Sequence, residues 1–142
     1  MEATEATSAS GHCLCGAVRF EVRGPAANLS HCHCRMCRLS VGATPVAWTT
    51  FPRATLAHLG ADPAWHQSSS HARRGFCPTC GCSLFFENTK YPREIDVVTA
   101  CLDQVEAFAP TMHIWVESKV AWARTDDGLP CHARSPGTPP IA

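Results

Sequence analysis

The chain has 142 residues, with 12 basic and 12 acidic side chains and a formal net charge of zero. That length suits one domain with one modest core. No run of Lys or Arg supplies the footprint of a nucleic-acid binder, and no apolar run approaches the ~20 residues a membrane span needs. Ten cysteines leave two readings, disulfides in a secreted scaffold or metal binding in a reducing compartment.

The opening MEATEATSAS, residues 1–10, has two glutamates, no basic residue and no apolar core. It reads as a disordered leader and not as a secretory signal. The metal reading therefore leads, and a cytoplasmic location is expected. Val18, Phe20 and Val22 alternate with Arg19, Glu21 and Arg23, the period of a half-buried strand. Gly24-Pro25 ends it. The segment RMCRLSVG after Cys34 predicts a helical turn or two, closed by Gly42. ATPVAWTTF (43–51) predicts a strand with Val46 and Trp48 facing a core. TLAHL (55–59) and AWHQSS (64–69) flank Gly-Ala-Asp-Pro and suggest a hairpin. SLFFE (83–87) and IDVVTACL (95–102) have strand character. MHIWVESKVAW (112–122) starts strand-like, with Ile114 and Val116 on one face. ARSPGTPPIA, residues 133–142, reads as a frayed tail. The whole predicts one mainly β domain over 11–132.

The cysteines fall into three clusters: Cys13 and Cys15, then Cys32, Cys34 and Cys37, then Cys77, Cys80 and Cys82. C-P-x-C-G at 77–81 is a zinc knuckle, in which the proline sets the turn and Gly81 lets the backbone pass close to the metal. A redox C-x-x-C should open a helix after a parallel strand, whereas this one leads into SLFFE. A closed structural site needs four ligands. If the C-x-C is extended, Cys13 and Cys15 project from one face and can supply the other two. That pair could equally complete the second cluster. If it joins the knuckle, Cys32, Cys34 and Cys37 keep an open fourth position, the pattern of a catalytic zinc. Such a site favours a thiol, deprotonates it near neutral pH and readies it for a small electrophile such as an aldehyde. The rival is a closed site, with His31, His33 or His113 as the fourth ligand.

These motifs resemble the glutathione-dependent formaldehyde-activating family, whose domain also occurs in centromere protein V. The resemblance lies in G-x-C-x-C-G-A-V-R-F at 11–20, H-C-H-C-x-x-C-R-x-x-x-G-A at 31–43, W-x-x-F at 48–51 and R-x-F-C-x-x-C-G-x-x-L at 74–84. It continues in H-I-W-V-E-S-K-x-x-W at 113–122 and D-G-L-P at 127–130. It implies small antiparallel sheets arranged like a tent and two zinc ions. Cys13, Cys15, Cys77 and Cys80 would hold a structural zinc, and Cys32, Cys34 and Cys37 a catalytic one. The implied activity joins glutathione and formaldehyde into S-hydroxymethylglutathione, formally a carbon–sulfur lyase run in reverse.

Arg38, directly after the three-cysteine cluster, either meets a substrate carboxylate or balances the roughly −1 charge of a three-thiolate zinc site. His113 is either an acid–base group or a hydrogen-bonded structural residue. Trp48, Trp115 and Trp122 read as core or pocket walls, Cys82 and Cys101 as small buried residues, and Cys131 as a free thiol. The rival to an enzyme is a zinc-stabilised binding module or glutathione carrier without turnover.

Overall fold

Period-two alternation builds the first sheet. In β2 (Arg19–Arg23) Phe20 and Val22 are buried while the charged residues between them are exposed. β1 (Ser8–His12) pairs antiparallel with β2, and β2 pairs with the two-residue β5 (Ala57–His58). The remaining strands are β3 (Ala27–Cys32), β4 (Val46–Pro52), β6 (Ala64–Gln67), β7 (Ala72–Phe76), β8 (Ser83–Asn88), β9 (Glu94–Val98) and β10 (Met112–Ile114). They form one sheet in the order β10-β3-β4-β9-β8-β7-β6. The computed structural model describes residues 8–138 and 140, and shows the mainly β single domain expected of the sequence, in two sheets that are antiparallel except where β10 runs parallel to β3.

The main core lies between the sheets. Phe20 meets Phe85 edge-on at 4.9 Å, and Val18, Val22, Phe51, Leu84, Ile95 and Val97 fill the space around them. Burial of these side chains is worth roughly 2–3 kcal/mol each before entropy is counted. Gly75 in β7 is packed so closely that a Cβ there would come within 3.0 Å of Trp65 and 3.1 Å of Phe85. A second core lies on the opposite face of the large sheet. There Cys32, Cys37, Val46, Trp48, Val98 and Ile114 gather with the helix α1 (Arg35–Val41). Val97 and Val98 are neighbours in β9 yet serve different cores, as alternation requires. α1 ends at Gly42, whose φ of 76° and N–H bond to Arg38 O make it the expected cap.

Several local expectations fail for identifiable reasons. The hairpin over 55–69 does not form. The first half is claimed by another partner: Leu59 N–H bonds Arg19 O at 2.9 Å and Ala61 N–H bonds Ala17 O at 2.8 Å. β6 pairs with β7 instead. The strand over 95–102 stops at Val98, and Cys101 lies in a 3-10 turn, Thr99–Cys101. β10 stops at Ile114 because Trp115 takes a left-handed φ of 55°, so Val116 opens a 3-10 turn. Cys13 and Cys15 sit in a tight turn, not an extended segment, closed by the 3.1 Å bond from Gly16 N–H to Cys13 O. Of the leader expected over 1–10, residues 1–7 lie outside the described residues and Ser8–Ser10 begin β1. Of the tail expected over 133–142, residues 139, 141 and 142 lie outside them. Its first part is tied back by the 2.9 Å bond from Trp115 N–H to Arg134 O. Among the described residues no helix is long and apolar enough to cross a membrane.

Candidate metal centres

The fold brings the first and third cysteine clusters together. The sulfurs of Cys13, Cys15, Cys77 and Cys80 all lie within 4.8 Å of one another, with Cys13 to Cys15 at 3.6 Å and Cys15 to Cys77 at 3.8 Å. The turn after β1 delivers one pair and the knuckle between β7 and β8 the other. In the knuckle, Gly81 takes a φ of 78° and donates to Cys77 O at 2.8 Å, a conformation that costs other residues strain. Backbone N–H groups also point at the sulfurs, from Val18 to Cys13 Sγ at 3.3 Å and from Cys80 to Cys77 Sγ at 3.5 Å. The backbone N–H groups of Cys82 and Cys15 pull the Cys80 thiol down to about 6. The Cys15 thiol, beside the other three, is pushed up to about 11, so protons are shared unevenly within the group.

Cys32, Cys34 and Cys37 form the second group, again within 4.8 Å of one another. Cys32 ends β3, Cys34 caps α1 and Cys37 lies in its first turn. A strand end, a cap and a first helical turn thus converge three sulfurs from six residues. Cys37 N–H donates to Cys34 Sγ at 3.3 Å. Cys32 and Cys37 are buried and Cys34 half-buried. The neighbouring Cys32 and Cys37 thiols hold the Cys34 thiol far below its ordinary range, and contact with Cys34 and Cys37 together with burial pushes Cys32 up. Shared protons among crowded sulfurs are what a metal ion displaces. Among the described residues no histidine nitrogen or carboxylate oxygen joins this group within that distance. Four sulfurs in one place and three in the other are donor sets compatible with two metal sites.

The histidines around the second cluster bond one another. His33 is fully buried, and its Nε2 lies 2.9 Å from His113 Nδ1. His113 Nε2 lies 2.9 Å from Asp127 Oδ2, and His31 stacks on the His113 ring at 4.9 Å. The carboxylate accepts from His113 Nε2–H, so a neutral His113 accepts at Nδ1 from His33 Nε2–H. Both His113 nitrogens are therefore engaged. Burial and the neighbouring His113 push His33 down to about 4, and the His113 hydrogen bond holds Asp127 below the usual carboxylate range.

Arg38 is half-buried on α1, and its guanidinium makes no hydrogen bond or ion pair among the described residues. The cation that touches the cluster is Arg74 of β7, whose Nη1 and Nη2 lie 3.6 and 3.7 Å from Cys37 Sγ. Neither Arg74 nor Asp127 stands out in the sequence as a site residue. Both stand in the quoted motifs, R-x-F-C and D-G-L-P, but their partners are distant in sequence. Cys82 and Cys101 are half-buried, their sulfurs 3.8 Å apart, and Cys131 Sγ lies 3.6 Å from Leu129 O. Trp48 is in the second core with Trp115 against it, whereas Trp122 is 74% exposed. Trp122 lines a groove of about 470 Å³ formed by Lys119 and residues 121–126, none of them a cysteine.

Residues 8–118 match the sequence profile of the glutathione-dependent formaldehyde-activating enzyme family. A Halomonas elongata protein bearing the family's name is 28% identical over 125 residues, covering 82% of this chain and 80% of its own. An uncharacterized lyase of Schizosaccharomyces pombe is 32% identical over 79 residues, 56% of this chain and 57% of the yeast protein. The crystal structure of a Rhodobacter sphaeroides protein superposes with a TM-score of 0.56 at 30% identity, covering 67% of this chain and 88% of that one. The chain belongs to the glutathione-dependent formaldehyde-activating enzyme family.

Proposed function

We propose that the protein is a zinc-dependent catalyst of carbon–sulfur bond formation and cleavage, acting on a small thiol, glutathione, and an aldehyde such as formaldehyde. The observation that carries this reading is the three-cysteine group, which has no fourth protein ligand near it among the described residues. Zinc bound there supplies a Lewis acid that lowers the pKa of a thiol taken as fourth ligand. Cys13, Cys15, Cys77 and Cys80 would hold a second zinc, for which four sulfurs would supply a full protein shell and a structural role.

In the reaction the thiol gives up its proton to solvent and its sulfur attacks the carbonyl carbon. The C–S bond forms, the C=O π pair moves to oxygen, and the oxygen takes up a proton. Cys32, Cys34 and Cys37 orient the attacking sulfur. Arg38, next to Cys37 in the chain and with no protein partner among the described residues, would meet a carboxylate of the thiol. His113 acts as a positioning residue, because its two nitrogens hold His33 and Asp127. A cytoplasmic location fits this use of cysteine, because metal-binding thiols need a reducing compartment.

A second reading, a thiol carrier without turnover, is favoured by one observation: no cysteine lines the groove of about 470 Å³. Native mass spectrometry with and without glutathione tests the proposal. Two zincs per chain and a glutathione adduct that Cys34→Ser abolishes are expected. Two zincs without an adduct would overturn the open site. An adduct without S-hydroxymethyl product on adding formaldehyde would favour the carrier.

A further inference from the structure

Arg74 is 7% exposed, in the middle of β7. A buried guanidinium needs an anion, because the cost of leaving water is otherwise uncompensated. No carboxylate among the described residues pairs with it. Its neighbour Arg73, like Arg53, bonds Glu87 instead. Arg74 stands 4.9 Å from the centre of the Phe86 ring, and its terminal nitrogens fork onto Cys37 Sγ. Its Nε is buried without a partner. The group this environment offers is therefore the Cys37 sulfur, which a bound metal would hold as a thiolate. Three thiolates on a divalent ion leave a charge of roughly −1, and an anionic fourth ligand brings it to roughly −2. A fixed cation at one sulfur makes the second negative step less unfavourable. It also ties up the lone pairs of Cys37, leaving the fourth sulfur the more nucleophilic.

We infer that Arg74 is the counter-cation of the three-cysteine site: it shields Cys37 from electrophiles and favours an anionic thiolate over a neutral ligand in the fourth position. This rests on the proposed opening of that position to a thiol. Arg74 is a positioning residue, since it touches a ligand and not the substrate.

Two measurements on the full chain test it. In zinc-loaded protein treated with iodoacetamide and mapped by peptide mass spectrometry, Arg74→Gln should make Cys37 react at least about fivefold faster. Cys13, Cys15, Cys77 and Cys80 should keep their rates, which controls for unfolding. In cobalt-loaded protein titrated with β-mercaptoethanol, the half-saturating thiol concentration should rise about tenfold in Arg74→Gln, with Arg74→Lys recovering most of the loss. An unchanged Cys37 rate in Arg74→Gln, or Arg74→Lys no better than Arg74→Gln, would overturn the inference. If wild-type protein bound no thiol while Arg74→Gln still exposed Cys37, the open site would fall and the shielding by Arg74 would stand.

Discussion

The two cysteine groups use one side chain for opposite ends. The four-cysteine group joins segments that are 62 residues apart between Cys15 and Cys77, packs against the main core and surrounds its centre with protein sulfur. The three-cysteine group draws on one short stretch, closes no long loop and has a buried cation at one of its sulfurs. A ligand set gathered from distant segments stabilises the fold, whereas a local set contributes little to folding and is free to serve a ligand.

The largest expected difference comes from the loop. Cys77→Ser should cost on the order of 4 kcal/mol, the value for closing a loop of about 60 residues. It should appear as a large drop in the urea midpoint of the zinc-loaded protein. Cys34→Ser should do the reverse, lowering glutathione binding and product formation at least about 100-fold while costing about 1 kcal/mol or less of stability in the same urea experiment. Equal destabilisation by the two variants would break the comparison.

His113→Ala sharpens it by separating support from coordination. It leaves the buried His33 Nε2 without a partner and should cost about 2 kcal/mol, with two metals still bound by native mass spectrometry. The smallest effect tests a residue outside both groups. Asp96 accepts a hydrogen bond from Thr50, and burial, with a contribution from Glu94, pushes it up to about 6. The folded state therefore holds the Asp96 proton more tightly than the unfolded one. The associated stability is present below the unfolded value near 4 and is lost as pH rises through about 6. Asp96→Asn should remove that slope and stabilise the protein by about 1–2 kcal/mol at pH 7. Urea unfolding of both forms between pH 5 and pH 8 measures it.

The cysteines were legible in the sequence because ligand spacing is a local property. Cys32, Cys34 and Cys37 carry their geometry in six residues, and the knuckle carries its own in five. The pairing of Cys13 and Cys15 with Cys77 and Cys80 was not fixed by spacing, since it depends on how the sheets meet. The same limit hid Arg74. β7 reads ARRGF, with no apolar alternation, and the sulfur it grips is 37 residues away. The failed hairpin over 55–69 shows it again: its turn residues are plausible, but Ala17 and Arg19 take the backbone bonds. His113 was visible as a candidate, while its role depends on His33 and Asp127, which only the tertiary fold brings to its two nitrogens.

Cadmium-113 NMR of the fully loaded protein tests most directly whether one centre is closed and the other open to a thiol. Two resonances are predicted, of which one moves on adding glutathione and is lost in Cys34→Ser. A single resonance, or two that both stay in place under saturating glutathione, would contradict the account.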